Sequence, residues 1–310
     1  DRKNWDTPIA FDPANSQILF YGTNRLYKSI NGAENWYAIS PDLTDGPHSG
    51  NRTFGTLTTI SVSQFDSQII FVGTDDGKAW VTQNGGSNWV DISAGVPNRW
   101  VTKILASKEN ANTVYLTLSG YKFGESIGHV YRSIDFGNTW IDISTSLPDI
   151  PVNDIEQDNF GNLFLATDIG VLASDNEGAT WTVLGENLPS VLVTDLFIHE
   201  NSEFLFAATY GRSIYKIDIS GNILNTNGDS FATEIKVFPN PASEMVTVSL
   251  KNPSKNSYLE VYDTMGRSVK KYNFDIKKEI HFSVESLQAG VYYLKISDGN
   301  KHSTKKLIVQ

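Results

Sequence analysis

The sequence predicts an all-β chain in two parts: four-stranded units up to residue 219, then a small β-sandwich from residue 234. Three observations carry this. A short box ending in tryptophan recurs at Trp36, Trp89, Trp140 and Trp181, with spacings of 53, 51 and 41 residues. Each repeat holds short runs rich in β-branched and aromatic residues, separated by Gly, Asn, Asp and Pro, which is the composition of strands and turns. No long segment carries the apolar period of a helix.

The second repeat shows the order most clearly: "TTISVSQ", "QIIFVGTDDG", "KAWVTQNGGSNW" and "VDIS". The third runs from "VTKILASKENANTVYLTLSG" to "HVYRSIDFGNTWIDIS", and the fourth from "VNDIEQDNFGNLFLATDIG" to "VLASDNEGATWTVLG". Four strands in roughly 40 to 50 residues is the signature of a propeller blade. A fifth unit, "VTDLFIHENSEFLFAATYGRSIYKIDI", stops before any box or fourth strand. "SGNILNTNGDSFAT" reads as a linker over 220–233, small and polar. Beyond it, "EIKVFPNPA", "MVTVSL", "YLEVYDTMGRSVKKY", "EIHFSV", "GVYYLKIS" and "TKKLIVQ" suit a sandwich.

The box reads Ser/Thr-x-Asp/Asn-x-Gly-x-Thr/Asn-Trp. Its members are Ser29, Asn31 and Trp36; Thr82, Asn84, Gly86 and Trp89; Ser133, Asp135, Gly137 and Trp140; and Ser174, Asn176, Gly178 and Trp181. A short Asp or Asn side chain bonds backbone groups two residues on and pins a tight turn. Gly supplies a positive φ, and Trp covers the gap between neighbouring blades. The first box has Ala33 at the glycine position, which predicts a looser turn. A motif repeated four times is scaffold rather than a catalytic centre.

With the box on the turn between the third and fourth strands (c–d), the b–c and d–a connections share the opposite face. The b–c set brings Asn24, Arg25, Asp75, Asp76, Tyr121, Lys122, Glu125, Asp168, Tyr210 and Arg212 there, and the d–a set adds His48, Arg52, Arg99 and Trp100. Loops on a rigid scaffold are where ligands bind, so Arg25, Arg99, Trp100, Tyr121, Tyr210 and Arg212 are the ligand-face candidates. Asp and Gly equally make tight b–c turns with no ligand involved. A glycosidase needs two carboxylates roughly 5 to 10 Å apart, for which Asp168, Asp75, Asp76 and Glu125 are available.

The net charge of −10 argues against a nucleic-acid partner, and no run is long and apolar enough for a membrane span. There is no cysteine, hence no disulfide, thiolate metal site or cysteine nucleophile. The five histidines are scattered without metal-ligand spacing, and no P-loop, G-x-S-x-G or dinucleotide fingerprint occurs. No metal or cofactor is expected. Charge divides along the chain: from residue 232 there are 12 basic and 8 acidic residues, before it 13 and 27.

The four boxes resemble the Asp-box, or bacterial neuraminidase repeat, of sialidases, xyloglucanases and sortilin-type receptors. This resemblance over residues 6–219 implies an Asp-box β-propeller. It also implies that "TDIG" around Asp168 corresponds to the b–c turn in which xyloglucanases carry a catalytic Asp. A sialidase would need three arginines; Arg25, Arg99 and Arg212 are present without sialidase motifs around them. "VFPNPA", "VYDTMGRSV", "LQAGVYYLKI" and the terminal "KKLIVQ" resemble the C-terminal sorting domain of the type IX secretion system over 234–310. That implies a protein of a Bacteroidetes-type bacterium, exported by the secretion machinery and released or attached at the cell surface. Four and a half blades are fewer than such propellers usually have, and the chain begins at Asp1 without a leader. The expectation is therefore a processed or truncated product whose ring lacks upstream blades. The leading reading is a secreted binding module for glycan or protein. The alternatives are a glycoside hydrolase and a peptide-binding receptor or assembly-factor propeller.

Overall fold

The computed structural model describes residues 1–47, 53–185, 188–220, 235–250, 253–255, 257–274, 277–298 and 301–310. From residue 221 the expected linker lies outside the described residues, as do His48 and Arg52. The chain divides into two compact units, residues 1–165 with 175–180, and residues 166–174 with 181–310.

The first unit contains three antiparallel sheets of four strands, each a simple meander from a to d. Their strands are Ile9–Asp12, Asn15–Gly22, Leu26–Ser29 and Tyr37–Ala38; Leu57–Val62, Ile70–Thr74, Ala79–Thr82 and Val90–Asp91; and Trp100–Ala106, Val114–Ser119, Gly128–Ser133 and Ile141–Asp142. Strand a of the fourth sheet, Val152–Gln157, also belongs here. The b strands of the second and third sheets are buried along almost their whole length, all five residues of Ile70–Thr74 among them. A strand covered on both faces reads as a continuous apolar run rather than an alternation, which explains "IIFVGT" and "VYLTLS".

Two cores follow. Phe20, Leu26 and Leu43 of the first repeat pack with Leu57, Ile70 and Val72 of the second. Phe71, Val81 and Ile92 pack with Val101, Ile104, Leu116 and Leu118 of the third. Side-chain hydroxyls tie successive a strands together: Thr58 donates to the Val101 carbonyl at 2.6 Å and Thr102 to the Val152 carbonyl at 3.1 Å.

Each box is held by its own side-chain bonds. In the first three, the Ser/Thr Oγ accepts the backbone N–H four residues on, at 3.0 Å from Ala33, 2.9 Å from Gly86 and 2.8 Å from Gly137. The Asn or Asp oxygen reaches four residues along rather than two, accepting from Asn35, Asn88, Thr139 and Thr180 at 2.8–3.0 Å. Bonds from Ser133 and Thr139 hold the Asp135 carboxyl below its usual pKa. The box then clamps the sheet before it. Trp89 donates its indole N–H to the Ile39 carbonyl at 3.0 Å, and Trp140 to that of Ile92 at 2.8 Å.

The first box corrects one expectation. Ala33 sits at φ +70 and makes the same bond to Ser29, so the turn is not looser. Gly86, Gly137 and Gly178 lie against Ile39, Ile92 and Ile143 of the preceding sheet, so close that a Cβ would come within 2.6 Å of them. Ala33 is exposed. Its methyl group meets only the backbone cost of a left-handed residue.

The second unit holds Gly170–Ser174 and Thr182–Leu184 of the fourth sheet, then a fifth sheet of three strands, Val193–His199, Phe204–Thr209 and Ser213–Asp218. Among the described residues the fifth sheet has no fourth strand. The sandwich has one sheet of Ile235–Phe238, Met245–Leu250 and Glu279–Ser283. The other has Tyr258–Asp263, Ser268–Asn273, Gly290–Asp298 and Lys301–Val309. Val246, Val248, Leu259, Val261, Phe282, Leu294 and Leu307 fill the space between them.

Candidate functional site: the loop face of the first unit

The b–c and d–a connections of the second and third sheets converge around Trp100, the first residue of its strand. The b–c connection of the third sheet is its longest, and a short 3-10 turn, Tyr121–Phe123, aims side chains over the face. The Lys122 ammonium lies 3.9 Å from the centre of the Trp100 ring and 5.3 Å from that of Phe54. Burial pushes the Lys122 pKa down, against the pull of Asp75. The Arg99 guanidinium stacks 4.9 Å from the Phe123 ring. Tyr121 remains 76% exposed.

The acids of this unit are engaged in holding the loops. Asp75 and Asp76 are 0% and 4% exposed. Asp75 accepts the N–H of Phe54 and, at 2.8 Å, that of Thr56. Asp76 accepts the N–H of Asp45 at 2.8 Å and the Thr74 hydroxyl at 2.5 Å. Burial drives the Asp76 pKa up, and the bonds from Thr74 and Asp45 only partly offset this. Glu125 takes both Arg99 and His129, at 2.7 and 2.5 Å. Burial raises its pKa, but those two partners outweigh burial and hold it below the ordinary range. Arg99 is therefore committed to a carboxylate within the chain.

Trp100, Tyr121, Arg99, Asp75 and Glu125 are thus gathered in one place. Arg25 is exposed on the b–c turn of the first sheet. Asp168, Tyr210 and Arg212 belong to the second unit, the last two exposed on the b–c turn of the fifth sheet. Two further aromatic groups were not singled out from the sequence. Phe54, 38% exposed, is placed by the bond from its N–H to Asp75. Trp5 is 98% exposed beside the same loop, where Arg2 donates to the Gly55 carbonyl at 3.1 Å and Asn4 to Thr56 at 3.5 Å. Their signal was an aromatic residue in a polar, turn-rich segment, where no core requires one. Among the described residues no three His, Cys, Asp or Glu side chains converge as a metal site requires.

Residues 236–310 match the family model described as a secretion system C-terminal sorting domain. The chain is 28% identical over 158 residues to a xyloglucanase of Hypocrea jecorina, covering 44% of this chain and 19% of that protein. The solved structure of PorZ is that of a surface component of the type-IX secretion system of Porphyromonas gingivalis. It aligns with a TM-score of 0.50 and 16% identity over 98% of this chain and 51% of its own. The GH74 xyloglucanase of Xanthomonas campestris aligns with a TM-score of 0.53 and 13% identity over 97% of this chain and 45% of its own. The chain therefore spans about a fifth of the curated relative and about half of the two solved structures. The fold is a β-propeller followed by a type IX sorting domain, and the protein is exported to the cell surface or the extracellular space. Among the described residues no helix is long and apolar enough to cross a membrane.

Proposed function

We propose that this secreted propeller is a binding module for a glycan or protein ligand, with carbohydrate the better fit. One observation carries the reading: Tyr121 and Phe54, 76% and 38% exposed, stand on the loop face around the Lys122–Trp100 pair, and Trp5, 98% exposed, stands beside the loop that carries Phe54. Flat aromatic surfaces with a polar tip favour amphipathic ligands, and the apolar faces of pyranose rings are such partners. Lys122 adds a cation that selects hydroxyl-rich or acidic sugars. The engagement of Asp75, Asp76 and Glu125 in structural bonds supports binding over hydrolysis.

Removing Trp5 and Tyr121 together as alanines lowers polysaccharide affinity tenfold or more, about 1.4 kcal/mol. Their exposure leaves the unfolding midpoint unmoved. Affinity electrophoresis in polysaccharide gels measures the first and thermal melting the second. Unchanged retardation in the double variant removes the proposed surface.

A glycoside hydrolase is the second reading, favoured by the likeness to the Hypocrea jecorina xyloglucanase. Asp168 would be its candidate acid.

A further inference from the structure

The outer face of the sorting domain is covered where an isolated sandwich would be open. Along Gly290–Asp298 the side chains alternate. Tyr292, Leu294 and Ile296 enter the core between the sheets, so Tyr293 points the other way. Its cross-strand neighbours are Tyr262 and Lys306. Two such neighbours leave an outward tyrosine largely in water, yet Tyr293 is only 7% exposed.

What covers it is indicated within the same compact unit. Gly266, in the turn joining Tyr258–Asp263 to Ser268–Asn273, has φ +72 and approaches the Ser190 carbonyl so closely that a Cβ would lie 2.4 Å from it. Ser190 and Val191 belong to the d–a connection after the fourth sheet and are 8% and 4% exposed. Burial, reinforced by the negative charge of Asp168, pushes the Tyr293 phenol up to about 12. Asp168 occupies the b–c turn of the fourth sheet. The backbone approach thus falls on the d–a connection, and the charge that acts on Tyr293 on the b–c turn, of the same repeat.

We infer that the sorting domain docks on the loops of the fourth repeat through its Gly266 turn and Tyr293, beside Asp168. The surface is specific on both sides: a glycine permits the backbone approach, and an outward aromatic finds a buried place. This docking stands independently of the carbohydrate reading above.

The chain has no cysteine, so two introduced thiols report on each other alone. Ser190→Cys with Met265→Cys in the full chain, which keeps the glycine that the approach needs, should be joined by a short homobifunctional thiol crosslinker at high dilution. Thiols that stay free in the folded double variant overturn the docking. A second variant tests the other side of the surface: Tyr293→Ser removes an outward side chain and spares the sandwich core. Hydrogen exchange at Ser190–Leu192 is then expected to quicken about tenfold, with the sandwich's own amides unchanged. Equal exchange in the variant and the native chain overturns the inference as well.

Discussion

Replacing Asp75 by alanine lowers the stability of the first unit by about 2 to 5 kcal/mol, since an orphaned buried donor costs roughly 1 to 3 kcal/mol and Asp75 serves two. The donors are the backbone N–H groups of Phe54 and Thr56. The return bond, from the Asp75 N–H to the Thr56 carbonyl at 3.0 Å, stays available in the variant. Asp75→Asn should fall between the two, because an amide keeps one oxygen acceptor and brings a donor toward the other N–H. Urea unfolding followed by tryptophan fluorescence measures both. A catalytic acid would behave differently: its removal leaves stability unchanged or improved and abolishes turnover. A loss below about 0.5 kcal/mol, the scatter of ordinary surface changes, would show that Asp75 does not hold the loop. The loop matters for function because it carries Phe54 to the Lys122 ammonium.

The second large effect lies in the box. Gly86→Ala meets a positive φ of +98 and places its methyl 2.4 Å from the Ile39 carbonyl oxygen, a backbone atom that cannot swing away. Left-handed strain of roughly 1 to 2 kcal/mol and overpacking of about 1 to 3 kcal/mol both apply, for a loss of about 2 to 5 kcal/mol. Gly137→Ala should cost less, since its nearest obstacle, at 2.5 Å, is the flexible Cδ1 end of Ile92. Ala33→Gly should change stability in the opposite direction, by about 0.5 to 1 kcal/mol, by relieving left-handed strain against the added freedom of the unfolded chain. The order of the three variants in one denaturation series checks the account of the box as an inter-sheet clamp. Equal losses at Gly86 and Gly137 would contradict it.

Much of the architecture was legible because period and composition act together. Four-residue to eight-residue apolar runs between turn residues can only be strands, and the recurring tryptophan fixes where each unit repeats. The sorting domain was legible from its ordered motifs. Ala33 was misread because sequence shows the residue but not its neighbour: glycine is needed where Ile39, Ile92 or Ile143 presses on the box, and Ala33 is exposed. The loop-face acids were ambiguous for a similar reason. "TDDG" serves equally as a turn and as a source of carboxylates, and only burial and the bonds to Phe54, Thr56 and Asp45 separate the two. Trp5 and Phe54 escaped notice because nothing in their local pattern says what lies beside them. Tyr293 looked like one more strand aromatic until its alternation and its burial disagreed.

The central claim is that the loop face binds without cutting. The most direct measurement follows binding and reducing-sugar release together, with the full chain on a panel of plant and algal polysaccharides. The account predicts retention of at least one polysaccharide, lost in the Trp5→Ala, Tyr121→Ala double variant, with no release of reducing ends. Release that disappears in Asp168→Asn would contradict it and make the protein a glycoside hydrolase.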